Sequence, residues 1–167
     1  FICDALNGYA ALDTTIKPLI IPGKDILHIV GPALTVFSGA ADVLGMSIAL
    51  SEVQPGDVIV NGVSGFQGTA AVGDRIAGMI KNNGGVGLVT DGPMRDLEGI
   101  KETGLSCFCT GLNPNSPYNS GPAKIGYPIE IGGKTVDSGD IIVADADGVT
   151  VVPFNMIDKV IEKLQRI

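Results

Sequence analysis

Two short apolar runs, joined by a glycine-rich stretch and a helical stretch, constrain the fold of this chain most. The runs are residues 57–61 and 86–90, and such continuous apolar content is typical of strands buried on both faces. Between them, residues 74–82 have the periodicity of a helix, which an Asn-Gly-Gly sequence ends. Two strands joined by a helix form a right-handed parallel crossover. The sequence therefore predicts an α/β fold with a mostly parallel central sheet.

Other elements are predicted on both sides of this crossover. Helices are expected at residues 2–7, 42–53 and 155–167, and a short one is expected after Arg95-Asp96, closed by Gly104. In the helix from Asp74, the residues Ile76, Ala77, Met79 and Ile80 are expected to face inward. Strands are expected at residues 28–37 (split by Gly31-Pro32), 105–109, 140–145 and 148–153, with a hairpin around Gly132-Gly133. Residues 62–73 and 110–127 are expected to be loops, and long loops are often functional.

The length of the chain fits one domain, 1–167. The sequence begins with Phe1 rather than Met, so we expect a native N-terminal segment to be missing. The formal net charge is −7, and Lys and Arg do not cluster with aromatic residues, so nucleic-acid binding is not expected. No apolar stretch reaches roughly the 18 residues of a membrane span, so we expect no membrane partner and a cytoplasmic location.

The three cysteines argue against a disulfide framework. Cys3, Cys107 and Cys109 are odd in number, and a Cys-x-Cys pair alternates between the sides of a strand, which favours a reducing compartment. We expect Cys107 and Cys109 to be buried rather than nucleophilic. His28 is the only histidine, so a zinc site lacks ligands. In the apolar run 26–30, His28 is expected to be structural.

Polar side chains follow the carboxyl ends of the two central strands. Asp74 lies beyond the first strand, and Asp91, Arg95 and Asp96 lie beyond the second. Because parallel strands end at the same sheet edge, where open α/β sheets bind ligands, these residues can converge. The helix start at Gly73-Asp74 also offers unpaired backbone N–H groups to a substrate carboxylate.

The chemistry of these side chains suggests a metal site for an anionic substrate. Arg95 has a planar fork that grips a carboxylate or a 2-oxo acid in two places. Asp96 is expected to bind Mg²⁺ directly, with Mn²⁺ as a substitute, because Mg²⁺ often takes only one or two protein carboxylates. Asp74 would hold a water of the metal and relay a proton.

Each residue also has a purely structural explanation. Arg95-Asp96 is compatible with a solvated surface pair, and Asp74 with a helix N-cap. Asp91 precedes Gly-Pro and suits turn chemistry, whereas Glu98 suits an exposed first-turn acid, with a role near the metal as its alternative. The glycine-rich loop lacks Gly-Lys-Ser/Thr and a strict Gly-x-Gly-x-x-Gly spacing, so nucleotide binding is not favoured.

The order and spacing of these motifs resemble the RraA-like family, in particular its class II 4-hydroxy-4-methyl-2-oxoglutarate/4-carboxy-4-hydroxy-2-oxoadipate aldolases. In that branch an acidic residue is followed, after twenty intervening positions, by Arg-Asp; here Asp74 is followed by residues 75–94 and then by Arg95-Asp96. The likeness covers nearly the whole chain. Its other segments are residues 31–36, 56–60, 138–140, 145–149 and Pro153.

The resemblance implies a layered α/β/β fold of the swivelling-domain type and a homotrimer or hexamer with the active site between subunits. It implies that Asp96 holds the metal directly, that Asp74 holds it through water, and that Arg95 binds substrate and stabilises an enolate. The backbone amides of Arg75 and Ile76, next to Gly73, would hold the pyruvyl carboxylate. In some members a glutamate of the neighbouring subunit contributes, and no residue of this chain is matched to it.

The activity implied is divalent-metal-dependent cleavage of a 4-hydroxy-2-oxo acid to pyruvate and a second carbonyl product, with oxaloacetate decarboxylation as a side reaction. A Schiff-base aldolase is disfavoured because no lysine lies inside an apolar strand. Two alternatives stay open: a non-catalytic RraA-type regulator that inhibits a ribonuclease, and a metal-dependent lyase or hydro-lyase for another sugar-derived acid. The regulatory branch lacks Arg-Asp. The substrate stays undefined for two reasons. Pro93-Met94 stands where smaller residues are expected, and residues 113–120 have no pattern that indicates a particular substrate.

Overall fold

The structure is a computed structural model, which describes residues 1–19, 23, 25 and 28–166. Its strands are β1 (Lys17–Pro18), β2 (Ile29–Phe37), β3 (Val58–Gly62), β4 (Gly87–Thr90), β5 (Ser106–Cys109), β6 (Lys124–Ile125), β7 (Ile129–Ile131), β8 (Lys134–Val136), β9 (Ile141–Asp145) and β10 (Gly148–Val152). Its helices are α1 (Ile2–Ala5), α2 (Leu44–Ala49), α3 (Asp74–Asn82), α4 (Leu97–Thr103) and α5 (Ile157–Leu164), the last preceded by a 3₁₀ turn at Phe154–Met156. The two apolar runs form β3 and β4, at the centre of a sheet.

The centre of the main sheet is parallel, as the crossover pattern predicts. Its order is β1-β5-β4-β3-β2-β9-β10, with β6 also paired to β2. The neighbours β2 to β5 run parallel, and the strands added at the edges run antiparallel. Near β1, the amide of Leu12 donates to Val149 O of β10 at 2.9 Å, so the two edges approach each other. The α/β class is confirmed, and the sheet as a whole is mixed and nearly closed.

Successive residues of the central strands face two different layers, because side chains along a strand point to opposite sides. Val58 and Val60 pack into one core with residues of the β7–β8 hairpin and of β9 and β10. Ile59 packs into a second core with residues of α2, α3 and α4. The predicted α/β/β layering is therefore confirmed, and the candidate residue Asp74, at the start of α3, lies on its helical side.

The predicted interruption of the first long strand at Gly31-Pro32 is wrong, because β2 is continuous. Its residues 29–32 pair with β9 and its residues 33–37 pair with β3, so the proline marks a change of partner rather than a break. The glycine is required by close packing: a β-carbon on Gly31 would lie 2.1 Å from the carbonyl oxygen of Gly56.

Three helices are shorter than predicted, and the first of them, α1, ends at Ala5 rather than at residue 7. The helix predicted at residues 42–53 is regular only in α2, because after Ala49 the amides of Ser51 and Glu52 make tighter i→i+3 bonds. The N-cap of α2 is Val43 rather than the predicted Asp42, although the Asp42 carboxylate accepts the amide of Leu44, the first residue of the helix, at 2.9 Å. The final helix is regular only over α5, and Ile167 lies outside the described residues.

The buried face of α3 is narrower than predicted. Ala77 and Ile80 are fully buried and Ile76 is half-buried, but Met79 is 42% exposed. A helix that packs against a sheet on one side buries only the stripe that faces the sheet. The inward orientation predicted for Met79 is therefore wrong.

The remaining predictions concern cysteine and histidine. Cys107 and Cys109 are buried on β5 as predicted, and burial raises the pKa of both thiols, which disfavours the nucleophilic thiolate. His28 is exposed before β2, with Nε2 3.8 Å from Asp145 Oδ2, and residues 26 and 27 lie outside the described part. None of the described helices is both long and apolar enough to cross a membrane.

Candidate functional site

Three extended segments lie side by side beyond the carboxyl ends of β3, β4 and β5. Val72 forms a parallel bridge with Met94, and Met94 forms another with Leu112. The backbone amide of Arg95 donates to Val72 O at 3.2 Å. These bonds bring the start of α3 next to Arg95, as the crossover geometry predicts.

Asp96 has a backbone conformation that few residues other than glycine adopt. Its φ of 63° and ψ of 47° are left-handed, and it is the N-cap residue of α4. Strain of this kind costs on the order of 1 kcal/mol and is concentrated at functional sites. In this conformation Asp96 Oδ2 lies 3.4 Å from Arg95 Nε; the side chain of Arg95 is half-buried and that of Asp96 is exposed. The two residues therefore form an ion pair that remains open to a ligand.

Gly73 packs directly against this ion pair. A β-carbon built on Gly73 would lie 2.2 Å from Asp96 Oδ2 and 3.3 Å from Arg95 Nε. The φ of Gly73 is −123°, which any residue can adopt, so the requirement for glycine is spatial rather than conformational. A side chain at this position would displace the charged groups.

Asp74 is not the N-cap of its helix, so that structural alternative is wrong. The N-cap of α3 is Gly73, and no side chain makes a capping hydrogen bond there. The carboxylate of Asp74 instead lies over Gly99 of α4, where a β-carbon would come within 2.1 Å of Asp74 Oδ2. The amides of Arg75 and Ile76 in the same first turn have no intrahelical acceptor. The first turn of α3 can therefore bind an anion. The neighbouring Asp74 carboxylate is not engaged in capping the helix and is available for chemistry.

A cavity of ≈ 560 Å³ unites the residues that the sequence indicates. Gly73, Asp74, Arg75, Ile76, Arg95 and Asp96 all line it. The other lining residues are Val43, Ser47, Leu50, Val72, Met79, Ser116 and Pro117. Its volume is within the usual range for small-molecule sites, and it combines two arginines and two aspartates with apolar side chains. Such a lining suits a small organic anion.

The loop after β5 contributes Ser116 to the cavity, a residue that the sequence analysis did not predict. Arg95 Nη1 donates to Ser116 Oγ at 2.5 Å. Long loops are often functional, and the length of the segment at residues 110–127 was the signal available for it. No residue pattern in that segment distinguishes Ser116 from its neighbours.

Asp91 and Glu98 lie outside this cavity. The Asp91 carboxylate accepts the amides of Val63 at 2.7 Å and Gly65 at 2.8 Å, which fixes the start of the glycine-rich loop. Burial raises the pKa of Asp91 more than these hydrogen bonds lower it. Glu98 is an exposed acid in the first turn of α4. The structural explanations of both residues therefore fit the structure.

The oxygen ligands of the cavity fit a sparse site for a hard divalent cation. Within the described part of the chain, no group of three or more His, Cys, Asp or Glu side chains is placed to hold a metal ion. Asp74 and Asp96 nevertheless line the same cavity. Mg²⁺ keeps several of its waters and is often bound through one or two carboxylates, and Mn²⁺ accepts similar ligands. The absence of Cys and His from this lining disfavours zinc.

A family model and a similar protein of known sequence indicate the same family. The RraA-like family model, described as Aldolase/RraA, matches residues 1–151. The "Putative 4-hydroxy-4-methyl-2-oxoglutarate aldolase" of Halalkalibacterium halodurans is 39% identical over 165 residues, which is 99% of this chain and 77% of that protein.

Two solved structures extend the likeness to the fold. One is an unusual member of the RNase ES inhibitor RraA protein family from Streptomyces coelicolor, 28% identical with a TM-score of 0.79, covering 98% of this chain and 83% of that one. The other is the RNA-processing inhibitor RraA from Thermus thermophilis, 24% identical with a TM-score of 0.79, covering 92% of each chain. At the identity of the second structure, the likeness establishes the fold alone.

Proposed function

The chain belongs to the RraA-like family, Aldolase/RraA, and from that premise we propose that it is a divalent-metal-dependent pyruvate aldolase. The substrate class is a 4-hydroxy-2-oxo acid such as 4-hydroxy-4-methyl-2-oxoglutarate, cleaved to pyruvate and a second carbonyl compound. The observation that carries the proposal is the presence of Asp74, Arg95 and Asp96 in one cavity, beside the first-turn amides of α3, which have no acceptor within the helix. The aldolase name of the relative that is 39% identical supports it.

Asp96 would hold Mg²⁺ or Mn²⁺ directly, and Asp74 would hold it through water. When bound, the cation supplies a Lewis acid for the C2 carbonyl oxygen of the substrate. The Asp96 carboxylate is exposed, and one of its oxygens, Oδ2, lies 3.4 Å from the guanidinium nitrogen Nε of Arg95, which leaves room for a substrate beside the pair. The residue types therefore fit an oxygen-rich site that is completed by water and substrate.

Arg95 and the start of α3 would bind the substrate. The amides of Arg75 and Ile76 would receive the C1 carboxylate, since anions are stabilised at helix N-termini. The guanidinium of Arg95 would donate to the C2 oxygen, where negative charge develops as the pyruvate enolate forms. Gly73 would allow the Arg95 guanidinium to lie close to the first turn of α3, because it adds no side chain between them.

The protons can be followed through the cleavage. A base, for which Asp74 is the candidate, takes the proton of the C4 hydroxyl directly or through a water. The C4–O bond then becomes a carbonyl, the C3–C4 bond breaks, and its electron pair forms the enolate of pyruvate. The protonated base, directly or through a water, then returns a proton to C3 of the enolate, and pyruvate is released. Loss of CO₂ from oxaloacetate gives the same enolate, so decarboxylation is the expected side activity.

We also propose a homotrimer or hexamer in which a neighbouring subunit closes the cavity. The side chains of Arg95 and Asp96 are 35% and 42% exposed, which leaves the charged end of the site incompletely covered in one subunit. The negative charge that develops as the enolate forms is stabilised best where bulk water is excluded. Sedimentation that showed only monomer under assay conditions would contradict this assembly.

The test of the function is pyruvate release over a panel of 4-hydroxy-2-oxo acids, sugar-derived acids and oxaloacetate. A second candidate function, inhibition of a ribonuclease, is favoured by the likeness to a member of the RNase ES inhibitor family. Tight binding to an endoribonuclease of that kind, with no release of pyruvate from any acid, would favour the regulator over the lyase.

A further inference from the structure

The loop after β5 is held in place at several points. The amide of Tyr118 donates to Ala41 O at 2.7 Å, and the amide of Ala70 donates to Asn115 O at 2.9 Å. Asn115 Nδ2 donates to Gly68 O at 3.0 Å. Residues 115–118 are therefore tied to two other loops, on both sides of Ser116. This fixes the backbone that carries the Ser116 hydroxyl.

Ser116 and Asp96 contact two different nitrogens of the same guanidinium. Arg95 Nη1 donates to Ser116 Oγ, and Arg95 Nε lies 3.4 Å from Asp96 Oδ2. In the described part of the chain, Arg95 Nη2 has no protein partner. A guanidinium held at two nitrogens has little freedom to rotate, so the direction of its third nitrogen is set by the protein.

We propose that Ser116 is a positioning residue, which orients Arg95 so that its Nη2 end is presented to the oxygens of a bound 2-oxo acid. This inference rests on the proposed function of the cavity, where Ser116 and Arg95 both line the wall. Arginine has considerable rotational freedom when its donors are not engaged, and a group that stabilises developing charge must be oriented before the reaction. The anchored loop supplies that orientation.

The test compares Ser116→Ala with Ser116→Thr, which keeps the hydroxyl, and with Ser120→Ala as a matched control. Ser120 belongs to the same loop but does not line the cavity. We expect kcat/KM for pyruvate release to fall roughly 10-fold in Ser116→Ala, the usual order for one hydrogen bond to a charged group at a partly exposed site. Ser116→Thr should recover most of it, and Ser120→Ala should match the wild type.

Two further measurements separate this inference from the proposed function. One is the Kd of oxalate, a stable mimic of the pyruvate enolate, measured with Mg²⁺ present and expected to weaken roughly 10-fold in Ser116→Ala. The other is a crystal structure of Ser116→Ala, in which Arg95 should lose its single conformation. Absence of pyruvate release by the wild type would reject the lyase alone.

Retention of the Arg95 conformation in Ser116→Ala would overturn the positioning role, whatever the wild type catalyses. An unchanged oxalate Kd together with an unchanged kcat/KM would overturn it as well. A loss that Ser116→Thr fails to recover would show that the hydroxyl is not the group responsible, which also contradicts the inference.

Discussion

The backbone of Gly73 lies against the carboxylate of Asp96, and no side chain fits between them. A β-carbon on Gly73 would come within 2.2 Å of Asp96 Oδ2 and 3.2 Å of Arg95 Cγ. Both atoms belong to side chains rather than to the backbone, so the fold can tolerate a methyl group that the site cannot. Gly73 thus links the start of α3 to the charged pair.

Replacement of Gly73 by alanine should therefore strongly lower activity and spare the fold. Displacement of Asp96 and Arg95 by more than 1 Å is expected to lower kcat/KM on the order of 100-fold. Overpacking should cost about 1–3 kcal/mol of unfolding free energy. Steady-state kinetics and urea denaturation measure the two effects separately.

The matched control is Gly78→Ala in the same helix. A β-carbon on Gly78 would meet only Thr103 Cγ2 at 3.6 Å, an ordinary contact, and alanine favours a helix interior over glycine by roughly 0.5–1 kcal/mol. Gly78→Ala should be as active as the wild type and no less stable. Equal activities of Gly73→Ala and Gly78→Ala would contradict the packing argument.

Asp74→Asn tests whether the carboxylate acts chemically. Since Asp74 makes no capping bond, its removal should cost less than about 1 kcal/mol, the usual contribution of a first-turn acid. Loss of a proton-transferring group should lower kcat on the order of 100-fold or more. Asp158→Asn removes a first-turn acid from α5 and should leave kcat unchanged. A similar kcat for the two variants would leave Asp74 with a structural role only.

Asp42 links α2 to the loop that carries Ser116, and this link should depend on pH. Its carboxylate accepts the amides of Leu44 at 2.9 Å, Ser120 at 2.7 Å and Gly121 at 3.1 Å. Burial alone would raise the pKa of Asp42, but the three amides together outweigh it and hold the pKa below its ordinary value. A lowered folded-state pKa means that the stabilisation is present above the unfolded value, about 3.9, and is lost as the pH falls through the folded value.

Asp42→Asn should consequently lower the unfolding free energy by about 1–2 kcal/mol at pH 7, because one acceptor oxygen is replaced by a donor. Below about pH 4 the difference from the wild type should begin to shrink, because Asp42 is then protonated in the unfolded state, and it should disappear once the pH falls below the lowered folded-state pKa. Urea denaturation from pH 7 to pH 3 measures both. A difference that stays constant over this range would show that the ionised carboxylate contributes nothing.

The variant Asp96→Gly tests separately the backbone strain at Asp96 and the role of its carboxylate in activity. Glycine adopts the left-handed conformation of Asp96 without steric cost, so the variant should be as stable as the wild type within about 1 kcal/mol. It lacks the carboxylate and should release no pyruvate. Thermal denaturation together with the assay would show a stable, inactive protein; a large loss of stability would contradict the assignment of strain to this residue.

The convergence of Asp74 with Arg95 and Asp96 could be predicted from sequence because it depends on local patterns. Two buried strands and one helix determine the crossover, and the crossover places both strand ends at one edge. The change of partner at Gly31-Pro32 could not be predicted in the same way, since it depends on contacts of β2 with β9, more than a hundred residues away.

Ser116 was beyond sequence reasoning for a related reason. Its loop has no periodicity, and its course depends on bonds such as that from the amide of Ser120 to Asp42, 78 residues away in the sequence. Met79 shows a different limit: periodicity locates the apolar face of a helix, but the neighbouring elements decide how much of that face is buried.

The central claim is that Asp96 holds a catalytic divalent cation beside Arg95. The most direct measurement is pyruvate release from 4-hydroxy-4-methyl-2-oxoglutarate by the wild type with Mg²⁺, by the wild type with EDTA, and by Asp96→Ala with Mg²⁺. We predict turnover in the first case, its loss with EDTA and recovery on addition of Mg²⁺ or Mn²⁺, and no turnover by Asp96→Ala at any metal concentration. Turnover that survives both EDTA and the Asp96→Ala substitution would contradict the claim.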